Sequence, residues 1–339
     1  MNYLITGGSG YLGSEIIRTL DPNKNNIINI DKYVSGFKNI KEYIIDISNE
    51  KELKKIFDKN EIDIIIHNVA KVPLEKKNSE FKKVNYDSTR VILNLFNIYK
   101  IKKFIYISSS AVFGVNQKSP ISEECEREPV EAYGMSKKAS EDLCFDQIKN
   151  GKNIAIIRPR TIIGLNRFGI FSILFDWLKN DLPIPVISNG DNLYQFIDIR
   201  DLCQAILLTS ESNFVGALNI GSSDVKSIRE IINFLKNEFK SKSRIKNIDN
   251  SYILKIGFFL QKLNLIPLQD YHFKAYGSEI YFDVSKAMKV LNWKPRYTAF
   301  ESFKDSYENF LNSKYDDQDK SMHKRILKNY LLKYITLIL

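Results

Sequence analysis

Histidine and cysteine are scarce in this chain, three of each in 339 residues. Cys125, Cys144 and Cys203 stand far apart, and an odd, scattered set does not build a disulfide framework; it fits a reducing compartment. His67, His272 and His323 are equally dispersed, and their spacing matches no metal site. No charged leader with a cleavage site precedes the first apolar stretch, so a cytoplasmic location is expected. Internal repeats and low-complexity tracts are lacking too, and glycine (15) and proline (9) are modest. What remains is a globular composition, 44% hydrophobic and 27% charged, long enough for one large domain or two joined ones. The net charge of +10 suits anionic partners such as nucleic acid, anionic lipid or phosphorylated small molecules. No DNA- or RNA-binding motif accompanies it, so nucleic acid is not expected as a partner.

Short apolar runs alternate with helical patterns. Strands are expected at "NYLIT", "NIINI", "YIID", "IDIIIH", "KFIYIS", "IAIIRP" and "ALNIG". Between them, segments such as "FKKVNYDSTRVILNLFNIYK" carry apolar residues at helical spacing (Val84, Val91, Ile92, Leu95, Tyr99). This alternation predicts an α/β fold, a doubly wound parallel sheet with helices on both faces. Unbroken runs such as "IDIIIH" suit strands buried on both sides. After "RPRTIIG" the rhythm breaks: "GIFSILFDWLKN" and "SIREIINFLKNEF" read as helices, and "LPIPVISNG" as an extended stretch. The expected organisation is a sheet domain over 1–165 with a returning segment at about 193–225, interleaved with a smaller substrate region over 166–192 and 226–312. A polar linker at 313–321 and an apolar-basic tail at 322–339 follow.

The opening "NYLITGGSGYLGSEIIRTL" places Gly7, Gly10 and Gly13 between a strand and a helix. Glycines there permit a tight turn, close approach of backbone N–H groups to a pyrophosphate and close helix–sheet packing. The helix N-terminus adds partial positive charge. The second strand ends in Asp31, where a dinucleotide fold places the acid that binds the adenosine ribose. A carboxylate repels a 2′-phosphate, which favours NAD over NADP; Lys32 next door argues mildly the other way.

"EAYGMSKKASEDL" sets Tyr133 and Lys137 one helical turn apart on the same face. A tyrosine near pKa ~10 is a poor base at neutral pH. A neighbouring ammonium and an oxidised nicotinamide both favour the phenolate and are expected to lower that value. "YISSSAVFG" brings a serine to the carboxyl edge of the sheet.

In these features the chain resembles the extended short-chain dehydrogenase/reductase superfamily, the NAD-dependent epimerase/dehydratase group that includes nucleotide-sugar epimerases. The resemblance covers about residues 1–312. It includes TGGSGYLG (with Tyr11 and Leu12), Asp31, the pair Asp46–Ile47, "HNVA" with Val69 and Ala70, Asn85 in "VNYDST", "SSSAVFG", "YGMSK" and the closing "FDVSKAMKVLNWKP". It implies a Rossmann-type fold, NAD as cofactor, Tyr133 as acid/base, Lys137 as its partner and ribose ligand, and Ser109 as the polarising hydroxyl. Ser109 is preferred to its neighbours because it stands five residues before Gly114. Asp46, Ile47, Val69, Ala70, Asn85 and Arg158 are implied cofactor contacts, and a homodimer through two helices, one bearing Tyr133, is implied as well.

Two departures narrow the chemistry. Dehydratases of the superfamily carry an Asp-Glu pair after the catalytic hydroxyl residue, where this chain has Ser110 and Ala111, so water elimination is not expected. Related epimerases often hold the substrate diphosphate with an arginine before the "FIDIRDL" segment and another before the closing segment; here Tyr194 takes the first place and only Lys274 is near the second. Arg160 and Arg167 in "RPRTIIGLNRFG", with Thr161 where many relatives have Asn, are expected to take over the diphosphate contact. The reading is NAD-dependent epimerisation of a nucleotide-activated sugar through a transient keto intermediate. The alternative is a net NAD-dependent dehydrogenase or reductase on another alcohol, hydrophobic ones included; a non-catalytic NAD-binding protein is disfavoured by the intact Ser-Tyr-Lys set.

"SYILKIGFFLQKLNLI" (251–266) and "KRILKNYLLKYITLIL" (324–339) are too short and too charged to span a membrane. The tail has an apolar face with Lys324, Arg325, Lys328 and Lys333, as in an interfacial helix. Peripheral contact with the inner face of a membrane and docking onto its own domain or a second subunit are both open.

Overall fold

The computed structural model describes residues 1–72, 78–115, 117–249 and 278–313. The stretch 251–266, Lys274, and the linker and tail beyond 313 lie outside the described residues. Six strands come first: β1 (Asn2–Thr6), β2 (Asn26–Asp31), β3 (Lys41–Ile44), β4 (Ile64–His67), β5 (Lys103–Ile107) and β6 (Ile154–Pro159). Four short strands follow, β7 (Thr161–Ile163), β8 (Ile184–Ile187), β9 (Leu193–Tyr194) and β10 (Phe196–Asp198), then β11 (Gly216–Ile220), β12 (Lys226–Ser227) and β13 (Ile245–Ile248). The helices are α1 (Tyr11–Leu20), α2 (Glu50–Lys59), α3 (Asn78–Phe81), α4 (Ser88–Ile98), α5 (Ala132–Lys149), α6 (Phe171–Lys179), α7 (Ile199–Glu211), α8 (Ile228–Glu238), α9 (Ser285–Leu291) and α10 (Ala299–Asn312). A π-helical turn, Lys82–Asp87, joins α3 to α4.

The seven-stranded sheet runs β11-β6-β5-β4-β1-β2-β3, and every pairing in it is parallel. Side chains alternate between faces along a strand, and here both faces are covered. Tyr3, Ile5, Ile64 and Ile66 join one core with Ile16 and Ile17 of α1 and Leu202 and Ile206 of α7. Leu4 and Ile65 point into a second core with Ile56 of α2, Ile92 and Phe96 of α4 and Cys144 of α5. The unbroken isoleucine run of β4 therefore serves two cores at once. The strand expected at "YIID" begins and ends two residues earlier, because Asp46 turns away to meet Lys32 at 2.7 Å.

A third core, rich in aromatics, gathers Phe175 of α6, Phe196 of β10, Ile231 and Leu235 of α8, and Phe303, Tyr307 and Phe310 of α10. Both long helices that close it are fixed by capping boxes, Ser227 with Glu230 and Thr298 with Glu301. The chain crosses between cores repeatedly. Residues 193–196, inside the segment expected to return to the sheet, contribute Tyr194 and Phe196 to the third core, and the return is made by α7 and β11. Ala287, Leu291 and Trp293 pack in the first core, although they lie in the span expected for the substrate region. No helix among the described residues is long and apolar enough to cross a membrane.

His67, at the tip of β4, shows how the sheet edge is ordered. Thr6 Oγ1 accepts from the Asn68 and Val69 N–H groups, so its proton goes to His67 Nδ1 (2.8 Å). Thr89 donates to the Asn85 carbonyl, so it accepts from His67 Nε2 (3.0 Å). The network assigns a neutral imidazole. Burial, with the Lys137 ammonium as a lesser cause, holds its pKa down to about 3 from 6.5. The unfolded chain thus binds the extra proton, and stability falls as pH drops from 6.5 toward 3. Urea unfolding at pH 7 and 5.5 should show this residue costing roughly 1 kcal/mol over that interval. His67→Gln should flatten the slope; equal slopes in both proteins would contradict the assignment.

Candidate active site

Parallel pairing brings the carboxyl ends of the strands to one edge of the sheet, the usual place for a ligand in such folds. A cavity of about 610 Å³ opens there. It is lined in turn by the tips of β2 (Asp31), β1 (Gly7, Gly10, Tyr11, Leu12), β4 (Val69, Ala70), β5 (Ser109, Ser110) and β6 (Arg160, Thr161).

The glycine turn is crowded. Gly7 has φ 77°, and a Cβ on it would meet the Val69 Cα at 2.8 Å. A Cβ on Gly13 would stand 2.1 Å from the Gly7 carbonyl oxygen, so α1 can pack this closely only without a side chain there. Side chains from β2 hold the turn: Asn29 Oδ1 accepts from Gly8 N (3.0 Å) and Asp31 Oδ2 from Ser9 N (3.0 Å). Gly10 caps α1 without a side-chain acceptor, which leaves the first-turn N–H donors and the helix dipole to an anion. Donors of this kind, a cradle that a Cβ would fill and a carboxylate at the tip of β2 fit NAD.

Asp31 Oδ1 also accepts from Tyr33 N (3.2 Å). Burial raises its carboxyl above the usual range, while the N–H groups of Ser9 and Tyr33 pull the other way. Lys32 is engaged with Asp46 (2.7 Å), which removes the argument for a 2′-phosphate. Although burial opposes it, the Lys32 and Ser48 hydrogen bonds bring Asp46 down to about 2. Asp46 therefore anchors the loop, and its neighbour Ile47 lines the cavity.

Ser109, Tyr133 and Lys137 meet at the β5 end. Ser109 caps the 3₁₀ turn Ser110–Phe113, accepting from Ala111 N (3.2 Å). α5 starts hard against that turn, since a Cβ on Gly134 would sit 2.6 Å from the Ala111 carbonyl oxygen. Tyr133, in the first turn of α5, is thereby carried beside the Ser109 hydroxyl, which favours its phenolate. Lys137 Nζ donates to the Ile107 carbonyl (2.7 Å) and lies 4.9 Å from the Tyr106 ring centroid. The expected acidification of the phenol is not found in the protein alone. Burial pushes Tyr133 up to about 12, against the Ser109 hydrogen bond, and pushes Lys137 down to about 7. Desolvation outweighs the opposing contacts at both groups, at Tyr133 on the cavity wall and at the fully buried Lys137.

Other expected site residues are placed differently. Asn85 lies behind the cavity wall: its Oδ1 accepts from Lys71 N (2.8 Å) and its Nδ2 donates to Ser136 Oγ (2.9 Å), so it positions the wall and α5. Arg158 is turned away from the cavity, its Nε and Nη2 donating to the two carboxylate oxygens of Glu141 (2.9 and 2.7 Å). The guanidinium lies against the Phe113 ring, and Arg127 binds the same carboxylate. Tyr194 does not line the cavity; its hydroxyl pairs with Thr161 Oγ1 at 2.9 Å. Arg160 and Arg167 do line it but are not a pair. Arg160 packs on Tyr194 and Phe282, whereas Arg167 packs on Tyr11 and Phe171 and donates to the Ile162 carbonyl (3.0 Å). Asn68, Lys71 and Glu131 line the cavity without having been singled out. Asn68 belongs to "HNVA" and Glu131 opens "EAYGMSKKASEDL", whereas Lys71 carries no pattern that would mark it. Among the described residues no cluster of His, Cys, Asp and Glu could hold a metal ion.

The profile of the NAD dependent epimerase/dehydratase family matches residues 3–221. The chain belongs to this family. It is 36% identical over 310 residues to the uncharacterised protein y4nG of Sinorhizobium fredii, covering 90% of this chain and 77% of that one. To a putative UDP-glucose 4-epimerase of Methanocaldococcus jannaschii it is 27% identical, over 89% of this chain and 95% of the relative. Among solved structures, the UDP-glucuronic acid 4-epimerase of Bacillus cereus in complex with NAD superposes with a TM-score of 0.75 at 22% identity, over 92% of this chain and 99% of that one. The UDP-glucose 4-epimerase of Thermotoga maritima with UDP-glucose gives 0.76 at 22% identity, with the same coverage. These two likenesses show the Rossmann-type epimerase fold.

The Arg158–Glu141 geometry separates a structural from a cofactor-binding arginine. Arg158→Met strands the Glu141 carboxylate beside Arg127 alone and should lower unfolding free energy by about 3 kcal/mol, with NAD affinity of the folded protein unchanged. Denaturant titration and calorimetry check this; a tenfold loss of NAD affinity at unchanged stability would contradict it.

Proposed function

We propose that this protein is an NAD-dependent epimerase of a nucleotide-activated sugar. The observation that carries the reading is one cavity, lined at one end by the glycine turn and Asp31 and at the other by Ser109, Tyr133 and Lys137. Gly7, Gly10, Leu12 and Gly13 let the backbone hold the cofactor diphosphate, and Asp31 takes the adenosine ribose. Bound NAD supplies reversible hydride acceptance. Tyr133 removes the proton from the sugar hydroxyl, and Ser109 orients that hydroxyl by hydrogen bonding. Lys137 holds its proton between the Ile107 carbonyl and the ribose side of the cavity. Once the keto sugar has turned over, return of the hydride to its other face and of the proton from Tyr133 to its oxygen restores the alcohol and closes the cycle without net redox change. Relatives of the chain include a putative UDP-glucose 4-epimerase, a UDP-arabinose 4-epimerase and a UDP-glucuronate 4-epimerase, which supports a UDP-sugar. Ser110 and Ala111, in place of the acid pair, support epimerisation over dehydration.

We infer in addition a homodimer through α5, the helix bearing Tyr133, and a second helix of each subunit, as the resemblance to the family implies.

Incubation of the NAD-loaded protein with UDP-hexoses and UDP-glucuronate should give an epimer with no net NADH. Tyr133→Phe should lower kcat at least ~100-fold while leaving NAD affinity nearly unchanged. NADH accumulating in step with sugar would instead favour a dehydrogenase, and full turnover in Tyr133→Phe would contradict the mechanism.

A further inference from the structure

Arg160 is a buried cation whose charge the described protein does not answer. It is 2% exposed, and of its side-chain nitrogens only Nη2 is engaged, donating to the Ile280 carbonyl at 3.0 Å. Nε and Nη1, which carry three N–H donors, have no hydrogen-bond partner, and no carboxylate among the described residues pairs with it. Arg158, two residues earlier and equally buried, is neutralised by both oxygens of Glu141. Burying an unpaired guanidinium is costly, and Arg160 is held in that state by its surroundings. Its backbone N–H is fixed to the Ile220 carbonyl (2.8 Å), and its guanidinium carbon lies 4.7 Å from the Tyr194 ring centroid and 5.4 Å from that of Phe282. Tyr194 is in turn tied to Thr161. The tyrosine that stands where related epimerases carry an arginine is thus the platform on which another arginine is stacked.

Position assigns the missing partner to the substrate. Along the sheet edge the order is Asp31 on β2, the glycine turn on β1, Ser109 on β5 and Arg160 on β6. Strands lie about 4.8 Å apart, so Arg160 is one strand beyond Ser109 and roughly 19 Å from the Asp31 strand. A dinucleotide reaching from Asp31 to Tyr133 ends at β5, and an anion met by Arg160 belongs to the second ligand. Arg167, beside Tyr11 of the glycine turn, is on the cofactor side.

Resting on the nucleotide-sugar reading, we propose that Arg160 is the receptor for an oxyanion of the substrate, either its diphosphate or a carboxylate on its sugar. Titration of the NAD-loaded protein with UDP, UDP-glucose and UDP-glucuronate tests this in the wild type, Arg160→Met and Arg160→Lys. Arg160→Met should weaken binding about 30-fold or more, Arg160→Lys less, with NAD affinity unchanged and the thermal midpoint without nucleotide sugar no lower than that of the wild type. A loss common to all three ligands identifies the diphosphate; a loss confined to UDP-glucuronate identifies the carboxylate. Affinities within twofold of wild type for all three, with or without a drop in thermal midpoint, overturn the receptor role alone. Wild-type protein that binds NAD but none of the three ligands overturns the substrate reading, and the proposal with it.

Discussion

Tyr133 and Lys137 sit one turn apart on α5, and desolvation drives their proton affinities apart, the phenol up to about 12 and the amine down to about 7. In that state the phenol holds its proton throughout the neutral range and is no base. The protein therefore builds the position of the base and leaves part of its electrostatics to the cofactor, since a cationic ring beside a buried phenol favours the phenolate far more than it would in water. Dependence of this kind couples chemistry to cofactor loading. It also explains why so much of the structure is devoted to placing a few atoms at one edge.

That edge is a consequence of the parallel sheet. Strands that all run one way deliver their following loops to one side, and each loop brings one component: the carboxylate from β2, the amide cradle from β1, the hydroxyl from β5 and a guanidinium from β6. Close contacts fix them. Gly13 seats α1 against the turn, Gly134 seats α5 against the 3₁₀ turn, and the Thr6–His67–Thr89–Asn85 chain ties the tips of β1 and β4 to the helix behind them. Arg160 is held from the C-terminal half, by Tyr194 of the third core and by Ile280 and Phe282.

Much of this was legible in the residues. Periodicity found the seven strands, since Ile64–Ile66 and Ile154–Ile157 are continuous apolar runs of the kind that two-sided burial demands. The glycine spacing, Asp31 and the Tyr133/Lys137 pair marked the cavity, because each is a local pattern tied to one backbone geometry. Contacts between distant segments were not legible. Arg158 reads like any arginine beside a site until Glu141, seventeen residues away, is seen beneath it. Arg160 and Arg167 look equivalent in sequence, yet one rests on Tyr194 and the other on Tyr11. The size of the desolvation at Tyr133 was not legible for the same reason: spacing shows a neighbouring amine, but only the fold shows that burial outweighs it in the protein alone.

The central claim is that the cofactor charge converts a phenol silent at neutral pH into a base. Tyrosinate absorbance followed against pH, in wild type and Tyr133→Phe, with and without saturating NAD, tests it directly. The account predicts that the step missing from Tyr133→Phe lies above about pH 10 without cofactor and moves toward neutral pH when oxidised NAD is bound. A Tyr133 step with the same midpoint in both states would contradict it.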